Sequence, residues 1–245
     1  MCVLGVDLDV SEFFAIAKQD PILKGFAEEF VGWRPRASDL WWALLVAHCQ
    51  RAASFRQGWG VLHRIVYNYG LYVEIDGRKI PRPPSPEEIL REPEKLLRSG
   101  AGFRAEGILR SAEAIMNGLL DPAKLGSLPD DKLEEELLKI PHVGSYVARL
   151  VMILAFRRYS LPPVDRWVVA LASRAYGLEA KQSIVDSFLR RRWGRWAGLA
   201  VYAMTIALDA EPLSRALRRV EEGAIKPLAN LSPTPLNMKP FCEER

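Results

Sequence analysis

The feature that most constrains this chain is a pair of amphipathic helical patterns separated by a short turn containing proline and glycine. Apolar residues recur at helical spacing before the turn, from Leu133, and again after it, from Val147. The turn runs from Pro141, which disfavours continuation of the first helix, to Gly144, which permits close backbone approach at the start of the second. The sequence therefore predicts two helices joined by a four-residue turn.

A helix that begins at a glycine presents unpaired backbone N–H groups and the positive end of the helix dipole, which together favour an anion. The chain carries 34 basic and 30 acidic residues and a net charge of +4, so phosphate is the expected anion. Backbone amides that hold a phosphate do not read a base sequence. An ordinary pair of helices is the alternative interpretation, because turns with proline and glycine are common.

An acidic residue follows this turn in an apolar setting. Asp165 lies 21 positions after Gly144, behind the apolar stretch 161–164, and leads directly into a helical pattern at 167–171. A helix N-cap would account for the aspartate alone. The combination of a phosphate-binding turn and a carboxylate at a helix start indicates a functional pair.

At this point the sequence resembles the helix-hairpin-helix DNA glycosylases. Their motif reads Leu-Pro-Gly-Val-Gly, then three variable positions and Ala, with Val-Asp about twenty residues later. The matching positions here are Ile140-Pro141, Val143-Gly144, Ala148 and Val164-Asp165. Segments 20–23, 102–105 and 193–202 further resemble the 8-oxoguanine and alkyl-purine branches, so that the resemblance covers roughly residues 8 to 212.

The resemblance implies an all-α, two-lobed helix-hairpin-helix glycosylase fold. Residues 37–155 would form the lobe that contains the hairpin, and residues 1–36 with 156–245 would form the lobe that carries the aspartate. One small β-hairpin is expected at 71–80, where alternating residues flank Asp76-Gly77. The run 40–49, apolar nearly all round, predicts a buried core helix.

The implied activity is hydrolysis of an N-glycosidic bond in DNA after the damaged nucleotide has been flipped out of the stack. Asp165 would stay ionised and stabilise the oxocarbenium-like sugar, or orient the attacking water. Tyr146 stands where bifunctional members carry the lysine that attacks the sugar. A phenol cannot form a Schiff base, so the sequence predicts a monofunctional enzyme without lyase activity.

The resemblance also assigns the backbone of the hairpin. The amides of His142, Gly144 and Val147 would take the phosphate. A monovalent cation, K⁺ or Na⁺, would be bound by backbone carbonyls, which in this sequence are those of Leu138, Ile140 and Val143. His142 stands where the family usually has glycine, a departure that bears on the bend of the turn.

The resemblance also implies that a polar side chain at the junction after the core helix enters the space left by the flipped nucleotide. Gln50 is the first choice and Arg51 the second, and a plain polar connection between helices is an equal alternative. Phe103 and Arg104 follow a glycine break, where an aromatic ring beside a cation suits stacking on a base. Further candidates for an aromatic base pocket are Trp41, Trp42, Tyr146 and Trp167, the last of which replaces a histidine of the family.

Composition limits the cofactors. The three cysteines stand at positions 2, 49 and 242, and only one follows residue 200, so the four-cysteine iron–sulfur loop of several relatives is not expected. No other cofactor is required. No apolar run reaches membrane-spanning length, and we expect an intracellular monomer in the cytoplasm or at the nucleoid.

The expected partner is double-stranded DNA with a damaged or mispaired base. A modified purine, alkylated before oxidised, is the first choice of substrate, because an aromatic pocket favours positively charged alkylated bases. Mispaired thymine, uracil or adenine is the runner-up. The rivals from other classes are a non-catalytic DNA-binding protein and a helical protein-interaction domain. Residues 227–245 read as an extended tail.

Overall fold

The computed structural model describes residues 4–226, and the predicted tail at 227–245 lies outside them. The fold is helical, with one pair of short antiparallel strands, which confirms the predicted fold class. A short 3-10 helix, Gly194–Trp196, precedes α13. The elements are α1 Ser11–Ala17, α2 Lys24–Glu29, α3 Leu40–Gln50, α4 Phe55–Tyr69, β1 Tyr72–Ile75, β2 Arg78–Pro81, α5 Pro86–Arg91, α6 Pro93–Arg98, α7 Arg104–Met116, α8 Pro122–Gly126, α9 Asp130–Leu138, α10 Ser145–Phe156, α11 Arg166–Tyr176, α12 Gln182–Trp193, α13 Ala197–Ala207 and α14 Leu213–Glu221.

The described residues divide into two compact units. One comprises residues 39–151, and the other comprises residues 4–38 together with 152–226. The second boundary falls within α10. The sequence predicts boundaries between the lobes at 36/37 and 155/156, and those boundaries stay a prediction. No helix among residues 4–226 has both the length and the apolar character needed to cross a membrane.

The first unit is built around α3. Asp39 caps this helix by accepting the backbone N–H of Trp42 at 2.8 Å. Leu40 and every residue from Ala43 to Cys49 are buried, which confirms the predicted core helix. Helices α4 and α7 pack directly against it.

The β-hairpin of this unit follows from its turn residues. Asp76 and Gly77 have φ values of +50° and +74°, the left-handed pair that a two-residue hairpin turn requires. The strands pair in the register Val73↔Ile80, which confirms the expected hairpin at 71–80. All eight strand residues are exposed.

The helical hairpin is formed by α9 and α10. Six residues, 139–144, connect the helices, because α9 ends at Leu138 rather than at the proline. The two helices are tied by the ion pair between Glu134 and Arg149, whose atoms are 2.6 Å apart on largely buried side chains. The turn contributes Ile140 and Val143 to the core, and this anchoring leaves the remaining turn residues at the surface.

The second unit has an aromatic core around Phe13, Phe26, Trp193 and Trp196. Helices α11, α12, α13 and α14 surround it. One of its buried charges is Asp20, which accepts from the Tyr176 hydroxyl at 3.0 Å and pairs with Arg192 at 2.8 Å. This network links the N-terminal segment to α11 and α12.

Candidate nucleic-acid interface and catalytic carboxylate

The turn of the helical hairpin keeps a glycine-type backbone at a residue that is not glycine. His142 has a φ of +67°, within the left-handed region that L side chains rarely adopt. Its side chain is exposed. The turn therefore has a left-handed bend at position 142, although histidine replaces the glycine that is usual in the resembling family.

Three backbone N–H groups at this turn find no acceptor in the part of the chain that the structure describes. Among residues 4–226, those of His142, Gly144 and Val147 donate to no protein group, and the first helical bond of α10 runs from Ala148 to the Gly144 carbonyl at 2.9 Å. These are the amides for which the sequence predicts a phosphate. Unpaired donors at the start of a twelve-residue helix suit an anion.

Gly144 is not required by the chain itself. Its φ is outside the left-handed region, and a Cβ atom added there would meet no heavy atom within 4 Å. Neither backbone conformation nor internal packing therefore demands glycine at this position. The space above the amides is open, and a bound group from outside the chain can approach them closely.

The carbonyls expected to bind a cation are available to different degrees. The Ile140 carbonyl accepts the N–H of Val143 at 3.1 Å, which leaves one lone pair. Those of Leu138 and Val143 accept no hydrogen bond within the described part of the chain. Each of the three carbonyl oxygens thus retains at least one lone pair for a monovalent cation, so the residues present are compatible with the expected site.

Four predicted residues lie together beside this turn. A terminal nitrogen of Arg51 donates to the His142 carbonyl at 3.3 Å, and the Arg104 Nε donates to the Arg51 carbonyl at 3.0 Å. Both guanidinium groups lie over the Phe103 ring, Arg104 at 4.4 Å and Arg51 at 5.5 Å from its centre. The ring is 56% exposed. We call Arg51, Phe103, Arg104 and His142 the turn cluster.

Gln50 points away from the turn cluster's cations. An added Cβ at Gly58 would lie 2.5 Å from the Gln50 amide oxygen, so the amide packs against α4. Its nitrogen is buried and has no hydrogen-bond partner among the described residues. The two candidates for the space-filling role thus differ, since Arg51 lies in the turn cluster and Gln50 lies between helices.

Two residues beneath the turn cluster, His48 and Gly107, were not predicted to contribute to the site. His48 is fully buried, its Nε2 lies 2.9 Å from the Ser111 hydroxyl, and burial lowers the pKa of its ring to about 3. Gly107 makes room for it, because a Cβ there would lie 2.5 Å from the His48 ring and 3.4 Å from His142 Cβ. A glycine inside a helical pattern was the available signal.

The tryptophans proposed for the base pocket are partly buried. Trp41 and Trp42 lie in the first turn of α3, and the Trp41 indole donates to the Pro84 carbonyl at 2.7 Å. Tyr146 lies half-buried in the first turn of α10. These three residues belong to the first unit, whereas Asp165 and Trp167 belong to the second.

Asp165 is the N-cap of α11. One carboxylate oxygen accepts the backbone N–H of Val168 at 2.9 Å. Burial raises the pKa of this carboxyl above its ordinary 3.8, and the N–H groups of Val168 and Trp167 lower it. The residues before it, 161–164, are buried, and the Val164 carbonyl accepts from Gln182 at 2.9 Å. The carboxylate is therefore half-buried on a fixed backbone.

No model of a known protein family matches the chain. It is 28% identical over 163 residues to the DNA-3-methyladenine glycosylase of Bacillus subtilis, and the matching region covers 65% of this chain and 54% of that protein. It is 26% identical over 125 residues to a probable N-glycosylase/DNA lyase of Methanothermobacter thermautotrophicus, covering 51% of this chain and 39% of that protein. The chain thus spans about half the length, or less, of these relatives.

Solved structures share the fold. The 8-oxoguanine glycosylase/lyase of Clostridium acetobutylicum, in complex with DNA, matches with a TM-score of 0.73 at 23% identity, over 90% of this chain and 73% of that chain. The 3-methyladenine DNA glycosylase of Archaeoglobus fulgidus matches with a TM-score of 0.69 at 23% identity, over 83% of this chain and 70% of that chain. The chain therefore has the fold of these DNA glycosylases, and its sequence is similar to that of DNA glycosylases over about half of their length or less.

Proposed function

We propose that the protein is a monofunctional DNA glycosylase that hydrolyses the N-glycosidic bond of a flipped, damaged base in double-stranded DNA. The observation that carries this proposal is the half-buried carboxylate of Asp165 at the start of α11. It occurs in a chain whose helical hairpin presents three amides without acceptors among residues 4–226. The names of the relatives support DNA glycosylase activity, and one of them also names a lyase activity.

The helical hairpin binds the phosphate backbone of DNA. The amides of His142, Gly144 and Val147 bind a phosphate, and the carbonyls of Leu138, Ile140 and Val143 hold a monovalent cation nearby. Both contacts involve only backbone atoms and phosphate, so this part of the binding is independent of base sequence. Its affinity should fall steeply with salt concentration, because phosphate binding releases counterions.

Asp165 provides the chemistry. As the bond between C1′ and the base nitrogen breaks, the base leaves with the electron pair, and the ionised carboxylate stabilises positive charge on the sugar. Water then adds to C1′ and gives up a proton. Burial disfavours the ionised form, but the same exclusion of water strengthens its interaction with the developing cation.

The turn cluster provides contacts to the bases. The exposed Phe103 ring, with two guanidinium groups over it, is suited to stack on a base or to separate neighbouring bases. Arg51 replaces Gln50 as our first choice for the space left by the flipped nucleotide, because Gln50 packs against Gly58. Tyr146, Trp41 and Trp42, which lie in the same unit as the turn cluster, are our candidates for an aromatic base pocket.

The absence of lyase chemistry rests on Tyr146. Treatment of the reaction with borohydride should trap no covalent adduct, and the product should be an intact abasic strand that breaks only in alkali. Lys139, the nearest lysine in sequence, is ion-paired with Glu136 at 2.6 Å. Any trapped adduct would contradict the monofunctional assignment, and its loss in Lys139→Ala would identify Lys139 as the attacking amine.

The proposed substrate is a modified purine, alkylated before oxidised, which leaves readily without a strong nucleophile. A panel of duplexes tests it, carrying 3-methyladenine, hypoxanthine, 8-oxoguanine, G·T, G·U or A opposite 8-oxoguanine. Release of 3-methyladenine above all others is the expected result. Release confined to mismatches would support the runner-up, a glycosylase for mispaired thymine, uracil or adenine.

A non-catalytic DNA-binding protein is the rival from another class. Such a protein would retain the hairpin but would have no use for a carboxylate near the DNA backbone. Salt-dependent binding without release of any base in the panel would support this rival. If the protein does not bind DNA at all, the remaining interpretation is a helical protein-interaction domain.

A further inference from the structure

A turn of two left-handed residues follows α13. Asp209 and Ala210 have φ values of +52° and +49°, although neither is glycine. The turn closes the helix end with hydrogen bonds from Asp209 to the Ile206 carbonyl at 3.0 Å and from Ala210 to the Thr205 carbonyl at 2.7 Å. Each such residue costs about 1 kcal/mol, so surrounding contacts must hold the turn in place.

One guanidinium group supplies those contacts. Arg219 of α14 is only 11% exposed, and it pairs with the fully buried carboxylate of Asp209 at 2.8 Å. A guanidinium has five N–H donors, and those of Arg219 have five acceptors, which are the side chains of Asp209 and Glu211 and the carbonyls of Ala207, Ala224 and Lys226. A lysine could not reproduce this fixed fork of contacts.

The turn presents a carbonyl to α11. The Glu211 backbone carbonyl accepts the indole N–H of Trp167 at 3.1 Å. The backbone N–H of Trp167, together with that of Val168, stabilises the ionised Asp165 carboxylate. One continuous set of contacts therefore runs from Arg219 to the N-cap of α11, within a single unit.

We propose that Arg219 is a positioning residue, which fixes the Glu211 carbonyl and thereby the Trp167 indole, so that the first turn of α11 holds Asp165 in its working geometry. The role of Asp165 in this inference rests on the proposed glycosylase function. The ends of helices open more readily than their middles. A contact that holds the first turn of α11 therefore has the greatest effect on the position of the Asp165 carboxylate.

A spectroscopic test does not depend on activity. The chain has seven tryptophans, and in ¹⁵N-labelled protein Trp167→Phe identifies the Trp167 indole resonance by its loss. Arg219→Ala should move that resonance upfield in the proton dimension, as its hydrogen bond to the Glu211 carbonyl is weakened. The neighbouring exposed Arg218→Ala is the control and should leave it in place. An unmoved Trp167 resonance in Arg219→Ala would overturn the proposed connection.

A kinetic test links the contacts to the reaction. In single-turnover release of 3-methyladenine, Arg219→Ala and Trp167→Phe should each be slower by about ten- to a hundred-fold, with DNA affinity unchanged. The double variant should be no slower than the slower single variant, because both changes break the same connection. Trp167→Phe removes one donor and keeps a ring, so it tests the proposal even where Arg219→Ala lowers stability.

The outcomes separate the two proposals. Wild-type protein that releases no base from any duplex contradicts the glycosylase function, and the indole resonance then still decides whether Arg219 fixes Trp167. Wild-type activity with unchanged rates in both variants overturns the positioning role alone. Rate losses that multiply in the double variant also overturn it, because they show two independent effects.

Discussion

A terminal nitrogen of Arg51 donates to the backbone carbonyl of His142 at 3.3 Å, which ties the end of α3 to the turn of the helical hairpin. The direction of this carbonyl depends on the left-handed backbone of His142, with its φ of +67°. That conformation costs a residue with a side chain about 1 kcal/mol. The geometry of the turn cluster is thus maintained against a local strain.

Replacing His142 by glycine should relieve this strain. We expect His142→Gly to be at least as stable as wild type, because relief of the left-handed conformation offsets the greater entropy of glycine in the unfolded chain. His142→Ala is the matched control, since it removes the imidazole and retains the strain. Urea unfolding should rank the glycine variant about 1 kcal/mol above the alanine variant. Equal stabilities would show that position 142 carries no strain.

Replacing Gly144 by alanine should separate stability from DNA binding. A Cβ atom there meets nothing within 4 Å and the backbone needs no left-handed conformation, so the free energy of unfolding should stay within about 0.5 kcal/mol of wild type. The methyl group nevertheless enters the space above the unpaired amides. We expect weaker binding to damaged and undamaged duplexes alike, measured by fluorescence anisotropy.

A glutamate at the same position should weaken binding further, because it adds an anion where the phosphate binds. Leu97→Glu is the control for charge, as Leu97 is an exposed residue of the same unit. If Gly144→Glu and Leu97→Glu weaken binding equally, the effect comes from net charge and the hairpin has no special contact with phosphate.

The sequence predicted the parts of the fold that local signals determine. The helical hairpin follows from apolar spacing on both sides of Pro141 and Gly144, and the β-hairpin follows from Asp76-Gly77 between alternating residues. Asp165 was predicted at a helix start for the same reason, since its N-cap bond to Val168 spans only three residues. Each of these features depends on neighbours in the chain.

Side-chain direction was beyond the reach of the sequence. Gln50 and Arg51 are adjacent, and only packing against Gly58 turns the glutamine amide inward. Similarly, residues 190–196 combine four arginines with two tryptophans, and only the fold shows that both tryptophans are buried and that Arg192 pairs with Asp20. These arrangements join segments far apart in sequence, and periodicity does not record such contacts.

Replacing Asp165 by asparagine should abolish catalysis without loss of stability. Asparagine caps helices as well as aspartate does, so the bond to the Val168 N–H is retained. Loss of the charge should slow single-turnover base release by at least about a hundred-fold. DNA affinity should change little, and a release rate close to that of wild type would remove Asp165 from the mechanism.

The stability of this variant should depend on pH in a defined direction. Burial raises the pKa of the Asp165 carboxyl above 3.8, so the folded state holds its proton at a pH where the unfolded state has lost it. Wild type therefore loses stability as the pH rises through that window, and Asp165→Asn does not. Thermal unfolding should place the variant at or above wild type at pH 7, with the difference vanishing below about pH 4. A less stable variant at pH 7 would show that the charge helps to hold the fold.

The buried His48 should make the protein sensitive to mild acid. Burial lowers the pKa of its ring from 6.5 to about 3. Between those values the unfolded chain binds a proton that the folded chain does not, so stability falls as the pH drops. From pH 6.5 to pH 5 the loss should be about 2 kcal/mol. Urea unfolding should show this loss in wild type and not in His48→Gln.

Ser111→Ala provides the control for this effect, because it removes the 2.9 Å bond to Nε2 and leaves the histidine buried. It should lower stability at every pH while keeping the acid-dependent loss of wild type, since burial and not that bond lowers the pKa. An acid-dependent loss of the same size in His48→Gln would assign it to other groups, and His48 would then have no part in the response.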